Sequence, residues 1–128
     1  MTASELHKRV NQHTMNLWAE LSGDHNPLHN DPAYARDTRY GGTILHGHMT
    51  IAWLSEWAMR EWGTDWLTLG HIVDLRFRAP LRPGTTYVVR GEDTEDPATR
   101  RVTVGLPDGS AGVTATACLV PPGRRAHE

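Results

Sequence analysis

Apolar residues recur at helical spacing in two segments of the first half of the chain. Between residues 11 and 21, Met15, Trp18 and Leu21 follow one another at three-residue intervals, and Gly23 comes next, a residue type that commonly follows the end of a helix. From residue 45 to residue 62 the apolar positions keep a helical period but occupy more than one face, and Gly63 follows. The pattern predicts a helix over residues 11–21 and a longer, buried helix over residues 45–62.

The second half of the chain changes to a period of two residues. Apolar and polar residues alternate from residue 73 to residue 79, as in a strand with one buried face, and Pro80 ends the run. The apolar members are Val73, Leu75, Phe77 and Ala79. Turn-forming clusters separate three further predicted strands, over residues 86–91, 101–106 and 112–120. With a short strand predicted over residues 6–10, the fold class is α+β, an antiparallel sheet wrapped around one long helix.

Composition limits the kind of partner. The 128 residues are enough for one domain, expected to span residues 1–128 with a loose tail over about 121–128. Thirteen basic and fifteen acidic residues give a net charge of −2, so no strong attraction to nucleic acid or to a membrane is expected. The lone Cys118 cannot form an internal disulfide, and no signal-peptide pattern is present, which predicts a cytoplasmic protein. Small-molecule chemistry or protein contact remains.

Polar and titratable side chains are concentrated in the segment SGDHNPLHND, residues 22–31. A histidine titrates near neutral pH and a carboxylate can be tuned to meet it, so this composition suits proton transfer. Asp24 and His29 could hold one water molecule between them, with Pro27 stiffening the span and Asn26 bonding the loop backbone. A capping or turn role would also explain Asp24. For Asp31, followed by a proline, capping of a short helix over residues 31–36 is the better interpretation.

A metal site is not predicted, although two histidines of this loop are four residues apart. Pro27 lies between His25 and His29 and interrupts the helix that would align them. Two more histidines, His46 and His48, flank the start of the long helix and are interpreted as structural.

Three runs of the sequence resemble a known family. LSGDHNPLHNDPAYA, then TILHGHMT, then HIVDLRFRAPLRPG are similar to the MaoC-like hydratases and dehydratases, including the (R)-specific enoyl-CoA hydratases. The resemblance implies a hot-dog fold, in which a curved antiparallel sheet wraps a central helix, and a homodimer. It also implies reversible addition of water to a trans-2-enoyl thioester, giving an (R)-3-hydroxyacyl thioester, with no cofactor and no metal. Asp24 and His29 would be the catalytic pair.

Two more site residues follow from the same resemblance. Gly47 matches the glycine that stabilises the thioester oxygen in these enzymes, and its place near the start of the long helix suits an anionic oxygen. Ser55 matches a serine beside the substrate. Which member of the Asp24 and His29 pair acts as the base is left open. The thioester carrier, coenzyme A or acyl-carrier protein, is also left open.

The residues that would set substrate size have two interpretations. In the family the acyl chain runs along the central helix, where this chain has Trp53 and Trp57. Either indole could shorten an acyl pocket, or both could face the sheet and only pack the core. Three arginines of the strand region, Arg76, Arg78 and Arg82, could meet the phosphates of the carrier or form a solvated face.

The sequence therefore predicts an enoyl-thioester hydratase or 3-hydroxyacyl-thioester dehydratase. Two alternatives stay open. A hot-dog thioesterase would use Asp24 to direct water at the carbonyl carbon, and a non-catalytic acyl-thioester-binding subunit of a heterodimer would need no proton transfer at all.

Overall fold

The structure, a computed structural model, describes residues 2–120, so the predicted tail lies outside the described residues. Helices and strands occur in the order β1 (Leu6–Lys8), α1 (Gln12–Ser22), α2 (Pro27–Asn30), α3 (Pro32–Arg36), α4 (Gly47–Trp62), α5 (Asp65–Leu69), β2 (Gly70–Phe77), β3 (Tyr87–Asp93), β4 (Thr99–Gly105) and β5 (Ala111–Leu119). Within this part of the chain, no helix has both the length and the apolar content needed to cross a membrane.

All five strands form one antiparallel sheet in the order β1-β3-β4-β5-β2. Its register places Val89 opposite Val104, and Val104 opposite Val113, so three fully buried valines form a row across the middle strands. Such β-branched pairs on one face stabilise a sheet and give it a buried side. The predicted α+β class, with an antiparallel sheet packed against a long helix, is confirmed.

Helix α4 supplies the other half of the core. Its buried apolar residues are Met49, Trp53, Leu54, Trp57 and Ala58. The Trp57 ring lies directly over strand β3, because a Cβ built on Gly91 would be only 2.1 Å from Cη2 of Trp57. The Trp53 ring lies 6.4 Å from the ring of Tyr87, which also belongs to β3. Close contact between a large indole and a glycine backbone therefore fixes how α4 crosses the sheet.

Pro27 begins helix α2 at a position where its fixed φ is favourable, so His25 lies outside that helix and no single helix aligns it with His29, as the sequence predicted. Three local features differ from the sequence prediction. Helix α2 itself was not predicted. Helix α5 was not predicted. Strand β2 is an edge strand with an irregularity after Val73, and Asp74 has a φ of 53°. As a result Val73 and Phe77 are exposed, although their alternation had placed them on the buried face.

His46 is a buried polar residue at the start of α4. It occupies the N-cap position without capping the helix through its side chain, and none of its surface is exposed. Its Nδ1 atom has no hydrogen-bond partner among the described residues. Burial lowers the pKa of His46 below its ordinary value, so the ring is neutral near pH 7.

The contact between Trp57 and β3 leads to a first prediction. Gly91→Ala should destabilise the protein by about 1–3 kcal/mol, because the new methyl group overlaps the Trp57 ring in a close-packed core. Gly105→Ala is the matched control. A Cβ at that strand position meets only the Val88 carbonyl oxygen at 3.5 Å, so a change within about 0.5 kcal/mol is expected. Urea unfolding measures the free energy of unfolding of both variants, and equal values for the two would contradict this prediction.

The buried histidine leads to a second prediction, on pH and stability. Because the pKa of His46 is lowered in the folded protein, the unfolded chain binds more protons as pH falls below 6.5, and stability is lost in that range. The melting temperature should therefore drop more from about pH 7.5 to about pH 5.5 in the native protein than in His46→Gln. The lowered pKa of Asp24 acts only near and below its ordinary value of 3.8, outside this window. If the melting temperatures of the two proteins fall equally with pH, His46 is not the cause of the loss of stability.

Candidate active site

The loop between α1 and α2 is held by hydrogen bonds of its own residues. Gly23 ends α1 with a φ of 79° and turns the chain into Asp24. The Asp24 carboxylate accepts a hydrogen bond from the Asn26 amide at 3.2 Å, and the Asn26 side chain in turn accepts from the Leu28 amide at 3.0 Å. Asn26 thereby caps α2, the helix that carries His29. Hydrogen bonds within this loop thus hold both Asp24 and the helix that carries His29.

His29 is fixed in one tautomer by the chain that leads into α4. Its Nδ1 lies 2.8 Å from the carbonyl oxygen of Ile44, and because a carbonyl can only accept, Nδ1 carries the hydrogen. The Ile44 amide donates to the Leu28 oxygen at 3.0 Å, so α2 and this segment hold each other. The free Nε2 of His29 faces Asp24 and lies 3.9 Å from its Oδ2. That gap is too long for a direct hydrogen bond and suits one water molecule bonded to both groups.

Two further histidines surround Asp24. Nε2 of His48 lies 3.3 Å from Asp24 Oδ2, and Nε2 of His46 lies 3.2 Å from the Asp24 backbone oxygen. The His46 ring also stacks on His29, with ring centroids 4.2 Å apart. Trp18 of α1 donates from its indole nitrogen to Nδ1 of His48 at 2.6 Å. Residues of α1, α2 and α4 therefore meet at one carboxylate.

The surroundings of Asp24 favour its ionised form. The hydrogen bond from the Asn26 amide is the largest cause of a lowered pKa of Asp24, and the hydrogen bond from His48 acts in the same direction. Partial desolvation opposes both, and the neighbouring His29 and His46 add smaller lowering effects. Asp24 is therefore a carboxylate at neutral pH, able to accept a proton.

A cavity of about 430 Å³ opens beside His29. Its inner wall includes Leu45, Gly47, Thr50, Phe77 and Leu81, and Arg39, Tyr40 and Arg78 also line it. Gly47 is the first residue of α4, and a Cβ there would lie 3.0 Å from Cζ of Phe77. A glycine at position 47 therefore lets the Phe77 ring pack closely against the start of α4 beside the cavity.

The structure brings together some of the predicted site residues and separates others. Asp24, Asn26, His29 and Gly47 lie around this cavity or in the loop beside it. Ser55 is two turns further along α4, half-buried, and does not line the cavity. Trp53 and Trp57 are buried against the sheet. Of the two interpretations of these indoles, the core-packing one is the one that the structure supports.

The strand arginines also divide into different roles. Arg82 donates from its guanidinium group to the backbone oxygens of Tyr40, Gly42 and Thr43, so it anchors a loop and has no free fork for a phosphate. Arg78 lies at the cavity and donates to Thr114 at 3.1 Å. A phosphate role thus stays available to Arg78 and is disfavoured for Arg82.

His46, His48 and Trp18 were not predicted as part of the site. The signal available in the sequence was the HGH triplet, in which two histidines flank the candidate oxyanion glycine at a helix start. Interpreting both as structural missed that His48 contacts the Asp24 carboxylate and that His46 stacks on His29.

Asp24, His29 and His46 could in principle share a metal ion, since each offers a possible ligand atom and these atoms lie within 4.8 Å of one another. The hydrogen bonds argue for a different use. Nε2 of His46 faces a carbonyl oxygen and therefore carries a hydrogen, so this nitrogen could become a metal ligand only if it lost its bond to the Asp24 backbone.

Comparison with known proteins identifies relatives over most of the chain. A family model described as MaoC like domain matches residues 2–114. The 3-hydroxyacyl-thioester dehydratase Z of Mycobacterium tuberculosis is 30% identical over 118 residues, covering 86% of this chain and 78% of that protein. Peroxisomal multifunctional enzyme type 2 of Mus musculus is 33% identical over 66 residues, which are 52% of this chain but only 9% of that enzyme.

Similarity extends to solved structures. The R-hydratase PhaJ1 from Pseudomonas aeruginosa, in its unliganded form, superposes with a TM-score of 0.75 and 27% sequence identity, covering 89% of this chain and 76% of that one. The hot-dog fold expected from the resemblance is confirmed. With a family model that matches nearly the whole described chain and a relative aligned over most of its own length, the chain belongs to the MaoC-like dehydratase family.

Proposed function

We propose that the protein is a hydratase or dehydratase that interconverts a trans-2-enoyl thioester and a (R)-3-hydroxyacyl thioester. One observation carries the proposal: the Asp24 carboxylate and the free Nε2 of His29 face each other across 3.9 Å, next to a cavity that His29 and Gly47 both line. The relatives include a protein named as an R-hydratase and one named as a 3-hydroxyacyl-thioester dehydratase, which supports this reaction class.

The pair supplies the proton transfers of hydration. A water molecule between Asp24 and His29 donates a hydrogen bond to each, which directs an oxygen lone pair toward C3 of the enoyl group. The water oxygen bonds to C3, one water proton passes to the pair, and the C2–C3 π electrons move toward the thioester carbonyl. A proton then returns from the pair to C2. The two groups share one water, so they act as a coupled unit and end in their starting state.

Negative charge on the thioester oxygen needs donors placed in advance. The amide of Gly47 lies in the first turn of α4, where backbone N–H groups have no acceptor within the helix and the helix dipole is positive. We assign this amide to the thioester oxygen, because Gly47 lines the same cavity as His29. Ser55 and Asn26 have no direct role in this assignment. Asn26 acts by capping the helix that carries His29.

The acyl group is assigned to the apolar part of the cavity. Leu45, Phe77 and Leu81 form that part, while Arg39 and Arg78 supply positive charge for the phosphates of coenzyme A or of a carrier-protein arm. A volume of about 430 Å³ is near the lower end of ligand pockets, which favours a short acyl group.

Several expectations from the sequence stay predictions. A homodimer is supported by the outer position of strand β2, where Val73 is exposed and could be covered by a second subunit. A cytoplasmic location and a single domain over residues 1–128 rest on composition and length alone.

The catalytic pair gives the third prediction. Asp24→Asn and His29→Ala should each lower the rate of crotonyl-CoA hydration by at least about a hundredfold, since each removes a proton acceptor from the pair. Asp31→Asn is the matched control. It changes a carboxylate of the same loop that only caps α3, and asparagine caps a helix equally well, so normal turnover is expected.

Following both absorbance and products in this assay separates hydration from its alternatives. Release of free coenzyme A without hydration would indicate a thioesterase, and no reaction would indicate a binding subunit. Near-normal hydration by a folded Asp24→Asn protein would rule out the assigned pair.

Phe77 gives the fourth prediction, on substrate length. Phe77→Ala should raise kcat/KM for dodecenoyl-CoA relative to crotonyl-CoA by at least about tenfold, because the ring closes the cavity over Gly47. Leu67→Ala removes another exposed large side chain, on α5 away from the cavity, and should leave this ratio unchanged. If the ratio for Phe77→Ala equals that of the native protein, the cavity is not the acyl site.

A further inference from the structure

The Asp24 carboxylate has a second line of contacts that the proposed proton transfers do not use. Trp18 on α1 donates to Nδ1 of His48 at 2.6 Å, and Nε2 of the same ring lies 3.3 Å from Asp24 Oδ2. The planes of the Trp18 and His48 rings are only 20° apart and their centroids are 5.7 Å apart, so the hydrogen bond joins the edges of two nearly coplanar rings. An indole, an imidazole and a carboxylate therefore form a continuous chain across three segments.

The indole of Trp18 fixes the tautomer of His48. An indole N–H can only donate, so Nδ1 of His48 must present its lone pair to Trp18. In the neutral ring the hydrogen is then on Nε2, the atom that faces Asp24 Oδ2. Trp18 thus selects the one neutral tautomer of His48 that donates a hydrogen bond to the carboxylate.

His48 in turn fixes the orientation of the Asp24 carboxylate. The backbone N–H of Asn26 donates to Oδ1 of Asp24, and Nε2 of His48 donates to Oδ2. Because each carboxylate oxygen has its own donor, rotation of the carboxylate is opposed. Oδ2 is also the oxygen that lies 3.9 Å from Nε2 of His29. The orientation that His48 holds is therefore the one that faces the water position.

We propose that Trp18 and His48 form a positioning pair that holds the Asp24 carboxylate in line with His29 for proton transfer. This inference rests on the proposed function, in which Asp24 exchanges a proton with substrate water. His48 is a positioning residue in this scheme, because it touches Asp24 and not the cavity.

Exposure explains why His48 needs an anchor. Its side chain is 42% exposed, and the Asp24 side chain is 36% exposed, so water competes for both groups. The indole hydrogen bond, made between two nearly coplanar rings, keeps the His48 ring from turning into solvent. The titratable groups facing Asp24 are His29 from α2 and His46 and His48 from the start of α4. The His48 hydrogen bond lowers the pKa of Asp24, which agrees with donation to the ionised carboxylate.

The first test needs no substrate. ¹⁵N NMR of the histidine rings in the full chain should show His48 with a bare Nδ1 and a protonated Nε2. Trp18→Phe keeps an aromatic ring at this position but removes the indole donor, and it should give a mixture of both tautomers. A native protein with the His48 hydrogen on Nδ1 would overturn the proposal.

The second test measures the effect on Asp24. His48→Leu should raise the pKa of Asp24, followed by ¹³C NMR of its carboxyl carbon, because it removes one donor to the ionised form. It should also lower kcat for crotonyl-CoA by about tenfold with KM changed less than about twofold, since orientation and not binding is lost. His48→Gln places an amide donor near the ring Nε2 position and should recover most of the rate.

Controls separate positioning from stability and from the proposed function. Trp62→Phe removes another partly buried indole, one stacked on Trp66, and should leave the Asp24 pKa and the rate unchanged. An unchanged Asp24 pKa together with an unchanged kcat in folded His48→Leu would overturn the positioning pair. A native protein that fails to hydrate crotonyl-CoA, yet shows the expected His48 tautomer and Asp24 pKa shift, would instead contradict the proposed function.

Discussion

The two hydrogen bonds between Ile44 and helix α2 organise the candidate site. The Ile44 amide donates to the Leu28 oxygen, and the Ile44 oxygen accepts from Nδ1 of His29, so one residue holds both the backbone of α2 and the ring that α2 carries. Ile44 is also only three residues before Gly47. The bonds that select the His29 tautomer therefore bring the start of α4 beside Asp24. Together with the contacts of His46 and His48 to Asp24, they hold the loop and the start of the helix in one arrangement.

The far end of α4 sets the other boundary of this arrangement. The fit of Trp57 over Gly91 and of Trp53 beside Tyr87 fixes the crossing of α4 on strand β3. A 16-residue helix transmits that crossing to its first residue, Gly47, whose amide we assign to the thioester oxygen. The packing of α4 in the core and the position of Gly47 at the site therefore depend on the same rigid helix. A change in the core is expected to affect the position of the helix start as well as stability.

Periodicity and caps predicted the elements better than their contacts. The helical spacing of residues 45–62 and the Asp31–Pro32 cap both correspond to observed helices, because these signals are local. Because apolar residues lie on several faces of α4, the sequence alone did not predict that Trp53 and Trp57 face the sheet. The contact of His48 with Asp24 depends on how α1 and α4 cross, which no local pattern records. The backbone irregularity at Asp74 similarly changed which side of β2 is exposed.

Arg82 anchors the segment beside the opening of the cavity. Its guanidinium group binds three backbone oxygens of residues 40–43, its amide donates to the Tyr87 hydroxyl at 2.6 Å, and the neighbouring Leu81 oxygen accepts from the Leu45 amide at 2.8 Å. The segment that carries Tyr40 at the cavity is therefore fastened to the sheet and to α4 at once. Such a rim is a fixed opening and not a closing lid, so under the proposed function entry of a charged substrate would depend on diffusion and on the charge around the opening, and its rate of binding would vary with ionic strength.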